Sequence, residues 1–230
     1  MMRKIIGKII DIVLPPKGED TASKEAPSPP PAGVKTVSLE QLLGGALGEP
    51  PAEPDLRVIG LYSSVEDEKI AELTQALLYL NEMNRLLPEG KEKKPVEFYI
   101  NTYGGSADDI FAMYDVMQSV MEETEIHTIG VGKVMSAGTL LLAAGTKGKR
   151  KIGKSCRVMI HNVAAGNFGT LPNLANELEA IQQLQEDYIS AMVDNTKFTR
   201  KKLERLLNEK VNIYLSAEEA VKYGLADEIM

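Results

Sequence analysis

The chain has 230 residues and 43% hydrophobic content, so it is long enough to bury a substantial core in one domain plus an appendage. Its net charge of −7 offers no basic excess to neutralise phosphates, which argues against nucleic acid as a main partner. The single cysteine, Cys156, excludes an internal disulfide and is typical of a reducing compartment. No apolar run reaches membrane-spanning length. We therefore expect a soluble, cytoplasmic protein in which Cys156 is a small buried apolar residue.

The first 54 residues differ in composition from the rest, because they hold nine of the twelve prolines. Residues 17–32 are of low complexity and are predicted to be disordered or extended. Residues 2–14 form a short basic amphipathic segment without the apolar region and cleavage site of a signal peptide. This segment could be a weakly structured tail or a helix that docks a partner, and contact with a membrane surface is the least favoured interpretation. A short helix is expected over 35–47, and the folded domain is predicted to span 55–230.

From residue 55 onward, strand and helix patterns alternate along the chain. Ser63-Ser64 offers an N-cap for the first helix, with Glu66 and Asp67 in capping-box positions, and Pro88 must end that helix. Repeated β-α units with short connections predict an α/β fold with a mainly parallel sheet. The remaining predicted elements, in chain order, are strand 57–62 before that helix and then strand 96–100, helix 108–121, strand 126–131, helix 136–144, strands 149–152 and 157–160, helices 171–195 and 199–208, strand 211–215 and helix 216–223.

A serine at the start of the apolar run 136–144 suggests a nucleophile. Ser136 lies where the N–H groups and dipole of the predicted helix converge, a place that can stabilise an oxyanion. The chain has two histidines, so only His127 and His161 could act as its base. His127 lies in an alternating strand and is interpreted as structural. Ser136 alone could equally be a helix N-cap, and His161 a strand-end histidine satisfied by backbone groups.

A glycine turn follows the second predicted strand at Gly104 and Gly105, and it offers another set of N–H groups to a ligand. Ligand sites in parallel sheets lie beyond the carboxyl ends of strands, so this turn and Ser136 can share one edge. With His161, these pieces are what serine acyl transfer requires. No His, Cys, Asp or Glu group has the spacing of metal ligands, so neither a metal nor a cofactor is expected.

Residues 55–230 resemble the Clp protease proteolytic subunit, a family of serine peptidases with a crotonase-like α/β fold. Six motifs in order carry this resemblance. They are Tyr99-Ile-Asn-x-x-Gly-Gly-Ser106, Ala112-Met-Tyr-Asp115, Gly132-x-x-x-Ser136-x-Gly138, Ala144-Gly-x-Lys-Gly-Lys-Arg150, Ser155-x-Arg-Val-Met-Ile-His161 and Leu215-Ser-Ala-x-Glu-Ala-Val-x-Tyr-Gly-Leu225. The resemblance implies repeated β-α units, a mainly parallel sheet and a long protruding helix.

The resemblance also implies roles for particular residues. Ser136 would be the nucleophile and His161 the general base, while the N–H groups of Gly105 and Ala137 would form the oxyanion hole. Members of the family form seven-membered rings, usually stacked face to face, and an unfolding ATPase feeds the chamber inside. The expected partners are therefore peptide or unfolded-protein substrates, further copies of this chain and a Clp-type ATPase.

The chain departs from the family's pattern at several positions. The third member of the triad, an aspartate in the family, corresponds to Asn212, which can orient an imidazole but cannot balance its charge. Ile213 replaces an arginine that helps two rings to pair, and Thr102-Tyr103 replaces a Ser-Pro pair. Two positions that are usually aromatic in the ATPase-docking pocket correspond to Ser119 and Lys151. The family's N-terminal axial loop has no recognisable counterpart in residues 1–54.

These departures keep two rival interpretations open. One is a non-catalytic structural subunit of a mixed ring that retains the site as a relic. The other is a processing peptidase that works without an ATPase, such as a phage could encode. The spacing of Ser136 and His161 favours an enzyme, whereas Asn212 and the altered docking positions favour the rivals.

Overall fold

A computed structural model describes residues 55–209 and 212–230. The helix expected over 35–47 and the predictions for the rest of the first 54 residues lie outside this range. Residues 55–230 form one compact unit in which strands and helices alternate as expected. In chain order the elements are β1 Val58–Leu61, α1 Asp67–Arg85, β2 Val96–Thr102, α2 Ala107–Val120, β3 Ile126–Met135, α3 Gly138–Ala143, β4 Lys151–Ile152, β5 Arg157–Ile160, α4 Leu171–Asn195, α5 Arg200–Glu209, β6 Ile213–Leu215, α6 Ala217–Tyr223 and β7 Glu228–Ile229.

The seven strands form one sheet whose main path runs β1-β2-β3-β4-β7. Every neighbouring pair on this path is parallel, which confirms the mainly parallel α/β fold. The long strand β3 also pairs with β5 near its carboxyl end, where Met135 faces Met159. β6 then adds to β5 in the antiparallel direction. The ends of β2, β3 and β5 therefore meet at one edge of the sheet.

The core lies between this sheet and the helices. The α3 helix is buried on all sides, as expected for a helix without charged residues whose side chains are mostly apolar. The α4 helix is divided along its length: its first ten residues are all exposed, and its buried side chains begin at Tyr188. No helix in the described ranges combines the length and apolar character needed to cross a bilayer.

The predicted starts of two helices, α1 and α3, were wrong. The α1 helix begins at Asp67 with Glu66 as its N-cap, and Glu66 makes no side-chain capping bond. Val65 is buried and forms a parallel bridge with Gly105, which keeps the preceding chain extended and removes Ser63-Ser64 from the cap. The α3 helix begins at Gly138 instead of residue 136, because the chain turns sharply between β3 and the helix.

Candidate active site

Ser136 occupies the turn between β3 and α3 in a strained conformation. Its φ of 53° is the one positive value among the non-glycine residues of 55–209 and 212–230. Its N–H donates to the carbonyl of Met159 on β5 at 2.7 Å. Its own carbonyl accepts hydrogen bonds from the N–H of Thr139 at 3.0 Å and from the Thr139 hydroxyl at 2.7 Å. Left-handed backbone at a serine is unfavourable, so these bonds hold the turn in place. Ser136 is therefore not the helix N-cap, a role taken by Ala137.

His161 lies directly against Ser136. Its Nε2 is 2.6 Å from the Ser136 Oγ, within hydrogen-bond distance for a nucleophile and its base. The parallel pairing of β3 with β5 brings the residues after the two strands together, although they are 25 positions apart in sequence. Burial lowers the pKa of His161 below its ordinary value of 6.5, so the imidazole is neutral at pH 7 and can accept a proton.

The glycine turn after β2 packs onto the same serine. A Cβ placed on Gly104, whose φ is 101°, would come within 2.5 Å of the Ser136 Cβ. A Cβ on Gly105 would come within 2.1 Å of the Val65 carbonyl oxygen. Only glycine allows the two chains to approach this closely, and this explains the double glycine. The predicted meeting of the glycine turn and Ser136 at one sheet edge is present.

The backbone N–H groups of Gly105 and Ala137, both near Ser136, are candidates for binding a ligand. Among the hydrogen bonds of the described residues, none uses the N–H of Gly105 or the N–H of Ala137. Their neighbours are occupied, because the Gly104 N–H donates to the Thr102 hydroxyl and the Ser106 N–H donates to the Val65 carbonyl. Both residues line the cleft that contains the serine and the histidine. Unpartnered N–H donors beside a nucleophile have the chemistry of an oxyanion hole.

Asn212 is placed differently from the other predicted site residues. It immediately precedes β6, and His161 immediately follows β5. Because the two strands are antiparallel and Ile213 pairs with Ile160, Asn212 and His161 lie at the same end of this strand pair. Its side chain is exposed, and no hydrogen bond within the described ranges joins it to His161. The role of Asn212 as the third catalytic residue stays a prediction.

The cleft around Ser136 and His161 has a volume of about 480 Å³ and a largely apolar wall. The apolar side chains come from the α2 helix, from β5 and from the segment after His161. Tyr188 of α4 closes the cleft on another side. Gln185 of the same helix accepts a hydrogen bond from the Val163 N–H at 2.7 Å. The larger apolar and aromatic residues at the wall are Tyr103, Ile110, Phe111, Met159, Val163 and Tyr188.

Three residues near the site escaped the sequence analysis. Thr139 and Tyr188 join hydroxyl to hydroxyl at 2.8 Å, and Thr139 in turn bonds the carbonyl of Ser136. Val65 holds the glycine turn from the other side through backbone hydrogen bonds. No local pattern marks these residues, since the Thr139–Tyr188 pair spans 49 positions in the chain.

The other titratable groups singled out in the sequence lie away from this cleft. His127 forms a partly exposed pair with Glu125, with its Nε2 2.8 Å from the Glu125 Oε2. Cys156 is buried, and burial raises its pKa to about 11, so the thiol stays protonated. Within 55–209 and 212–230, no cluster of His, Cys, Asp and Glu side chains is arranged to hold a metal ion.

Comparison with known proteins agrees with the motifs. The sequence model of the Clp protease family matches residues 54–230. The chain is also similar to the ATP-dependent Clp protease proteolytic subunit of Deinococcus radiodurans. The two are 33% identical over 174 residues, which cover 76% of this chain and 80% of that protein.

Proposed function

Because this chain belongs to the Clp protease family, we propose that it is a serine endopeptidase that cleaves peptides or unfolded proteins through Ser136 and His161. The observation that carries the proposal is the 2.6 Å contact between the Ser136 Oγ and the His161 Nε2. The strained φ of 53° at Ser136 supports it, because strain at a nucleophile is retained where function requires it.

In the proposed reaction, the Ser136 Oγ attacks the carbonyl carbon of the scissile peptide while the His161 Nε2 takes its proton. The carbonyl oxygen becomes an oxyanion, which the N–H groups of Gly105 and Ala137 receive. The intermediate collapses, the C–N bond breaks and the protonated His161 gives its proton to the leaving amine. A water molecule, deprotonated by the same imidazole, then attacks the acyl carbon. The ester C–O bond breaks, His161 returns the proton to the Ser136 Oγ, and the carboxylic acid product leaves.

Asn212 completes the proposal as the group that orients His161. An asparagine oxygen can accept the imidazole N–H, as in peptidases with a Cys-His-Asn triad, but it leaves the imidazolium cation without a counter-charge. The pairing of Ile213 with Ile160 supports this role, because Asn212 and His161 lie next to that pair at the same end of β5 and β6. We expect a slower enzyme than one with aspartate at this position.

The proposed working form is an oligomeric ring of copies of this chain, as in the family that it belongs to. A Clp-type ATPase is the expected supplier of unfolded substrates, although Ser119 and Lys151 stand where that partner usually meets aromatic side chains. The apolar wall of the cleft suits an extended chain with apolar side chains near the cleaved bond. The rival function, a structural subunit with an inactive site, is favoured by Asn212 and by the altered docking positions Ser119 and Lys151.

Labelling with a fluorophosphonate probe tests the proposal. We expect stoichiometric labelling of the native protein, with the modified peptide mapped to Ser136. Ser136→Ala should abolish both labelling and peptide turnover, whereas Ser155→Ala, at an exposed serine away from the cleft, should change neither. Native protein that is neither labelled nor active would leave the structural-subunit interpretation standing. Full turnover by Ser136→Ala would instead assign the nucleophile to another residue.

A further inference from the structure

A chain of hydrogen bonds runs from α4 to the nucleophile turn. The Tyr188 hydroxyl is 2.8 Å from the Thr139 Oγ1, and the Thr139 Oγ1 is 2.7 Å from the carbonyl oxygen of Ser136. A threonine hydroxyl has one hydrogen, and here it must be donated to the carbonyl, which can only accept. Tyr188 is therefore the donor to Thr139, and the bonds point in one direction, from the tyrosine to the Ser136 carbonyl.

The series of hydrogen bonds ends at the carbonyl of Ser136, which belongs to the peptide group that carries the Ala137 N–H. The carbonyl of Ser136 and the N–H of Ala137 lie in one plane, so a bond that fixes the oxygen also fixes the direction of the N–H. Hydrogen bonds accepted by a peptide oxygen increase the polarity of the N–H at the other end, and bonds in series strengthen one another. The Ser136 oxygen accepts two, from the N–H and the hydroxyl of Thr139.

Burial gives this arrangement its strength. Thr139 is fully buried and Tyr188 is 6% exposed, so water does not compete for either hydroxyl. Burial also raises the pKa of Tyr188 to about 12, which keeps its hydroxyl protonated as a donor over the whole working pH range. The ring of Tyr188 contributes to the wall of the cleft, while its hydroxyl contacts Thr139.

We propose that Tyr188 and Thr139 are positioning residues that orient and polarise the Ala137 N–H for the oxyanion of the tetrahedral intermediate. This inference rests on the proposed function, because it takes the Ala137 N–H as an oxyanion donor during attack by Ser136. The hydrogen bonds from Tyr188 through Thr139 to the Ser136 carbonyl, here called the relay, act on charge that develops in the transition state. This charge is absent from the bound substrate. Its loss should therefore lower kcat and leave KM nearly unchanged.

The test compares conservative variants that remove one hydroxyl each. Thr139→Val removes the bond to the Ser136 carbonyl and should lower kcat about tenfold, less than the ~10²-fold or more lost with a whole oxyanion donor. Tyr188→Phe removes only the outer bond of the series and should lower kcat about threefold. Thr139→Ser keeps the hydroxyl and should restore most of the activity.

A transition-state analogue separates positioning from general loss of stability. A peptide boronate forms a tetrahedral adduct with the serine, and its inhibition constant should rise by the same factor by which kcat/KM falls. Two matched controls remove a hydroxyl elsewhere. Tyr114→Phe loses a bond from Asn195 at 2.9 Å, and Thr128→Val loses a bond to the Leu142 carbonyl at 2.8 Å. Both should lower Tm without changing boronate affinity.

The outcomes distinguish this inference from the proposed function beneath it. The relay is refuted if Thr139→Val and Tyr188→Phe bind the boronate as tightly as the Thr128→Val and Tyr114→Phe controls. If Ser136→Ala loses turnover in the same experiment, the proposed peptidase function still holds. If the native protein is not labelled at Ser136, both fall. A matched decline in kcat/KM and boronate affinity, rescued by Thr139→Ser, supports the relay.

Discussion

The ion pair between Arg150 and Asp227 provides a prediction whose size follows from the structure. Arg150 is 3% exposed and binds the Asp227 carboxylate through Nε at 2.9 Å and Nη2 at 2.6 Å. Its Nη1 also donates to the carbonyls of Ala143 and Asn195, which lie at the ends of α3 and α4. This side chain therefore holds together the two helices that support the candidate site. Asp227→Asn keeps the shape of the carboxylate but removes its charge.

The magnitude comes from the pKa of Asp227. Burial alone would raise this pKa, but the hydrogen bonds and charge of Arg150 outweigh burial and lower it from 3.8 to about 2. Each unit corresponds to about 1.4 kcal/mol, and because the carboxylate is 24% exposed we discount the sum to about 2 kcal/mol at pH 7. A folded-state pKa below the unfolded one stabilises the protein above pH 3.8, and this contribution is lost as the pH falls towards 2.

The assay is urea unfolding of the native protein and the Asp227→Asn variant at pH 7 and at pH 3. We expect a difference of about 2 kcal/mol at pH 7 that shrinks at pH 3, because there the carboxyl group of the unfolded chain is protonated while that of the folded protein is still largely ionised. Glu228→Gln serves as a matched control, since Glu228 pairs with Lys151 at the surface and should contribute under about 1 kcal/mol. A difference that is equal at both pH values, or no larger than that of the control, would refute the reasoning.

Three further predictions concern the site. Gly104→Ala should abolish most turnover, because its Cβ would meet the Ser136 Cβ at 2.5 Å, whereas Gly90→Ala, with open space around it, should leave peptide hydrolysis intact. The pH profile of kcat/KM should rise with pH and reach half its plateau below pH 6.5, since the pKa of His161 is lowered by burial; a midpoint above 6.5 would contradict this. Asn212→Asp should raise turnover several-fold or more, with ~10⁴ as a ceiling, and unchanged turnover in a stable protein would remove Asn212 from the mechanism.

Much of the fold and part of the site could be predicted because their signals are local. Apolar residues at helical or strand spacing predicted the alternation of elements, and short connections predicted the parallel sheet. The serine at the start of a helix and the glycine turn after a strand were both recognised from their immediate neighbours. The chain has two histidines, so there were two candidates for a base, and the structure brings His161 to Ser136.

What the sequence determined by itself was therefore the order of the elements and the short motifs at their ends. The tertiary structure alone decided the strained φ of Ser136, the Thr139–Tyr188 contact across 49 positions and the Arg150–Asp227 pair across 77. The physical reason is that local propensity acts over a few neighbouring residues. The partner of a buried polar side chain is instead set by sheet register and helix packing, which join parts of the chain that share no local pattern.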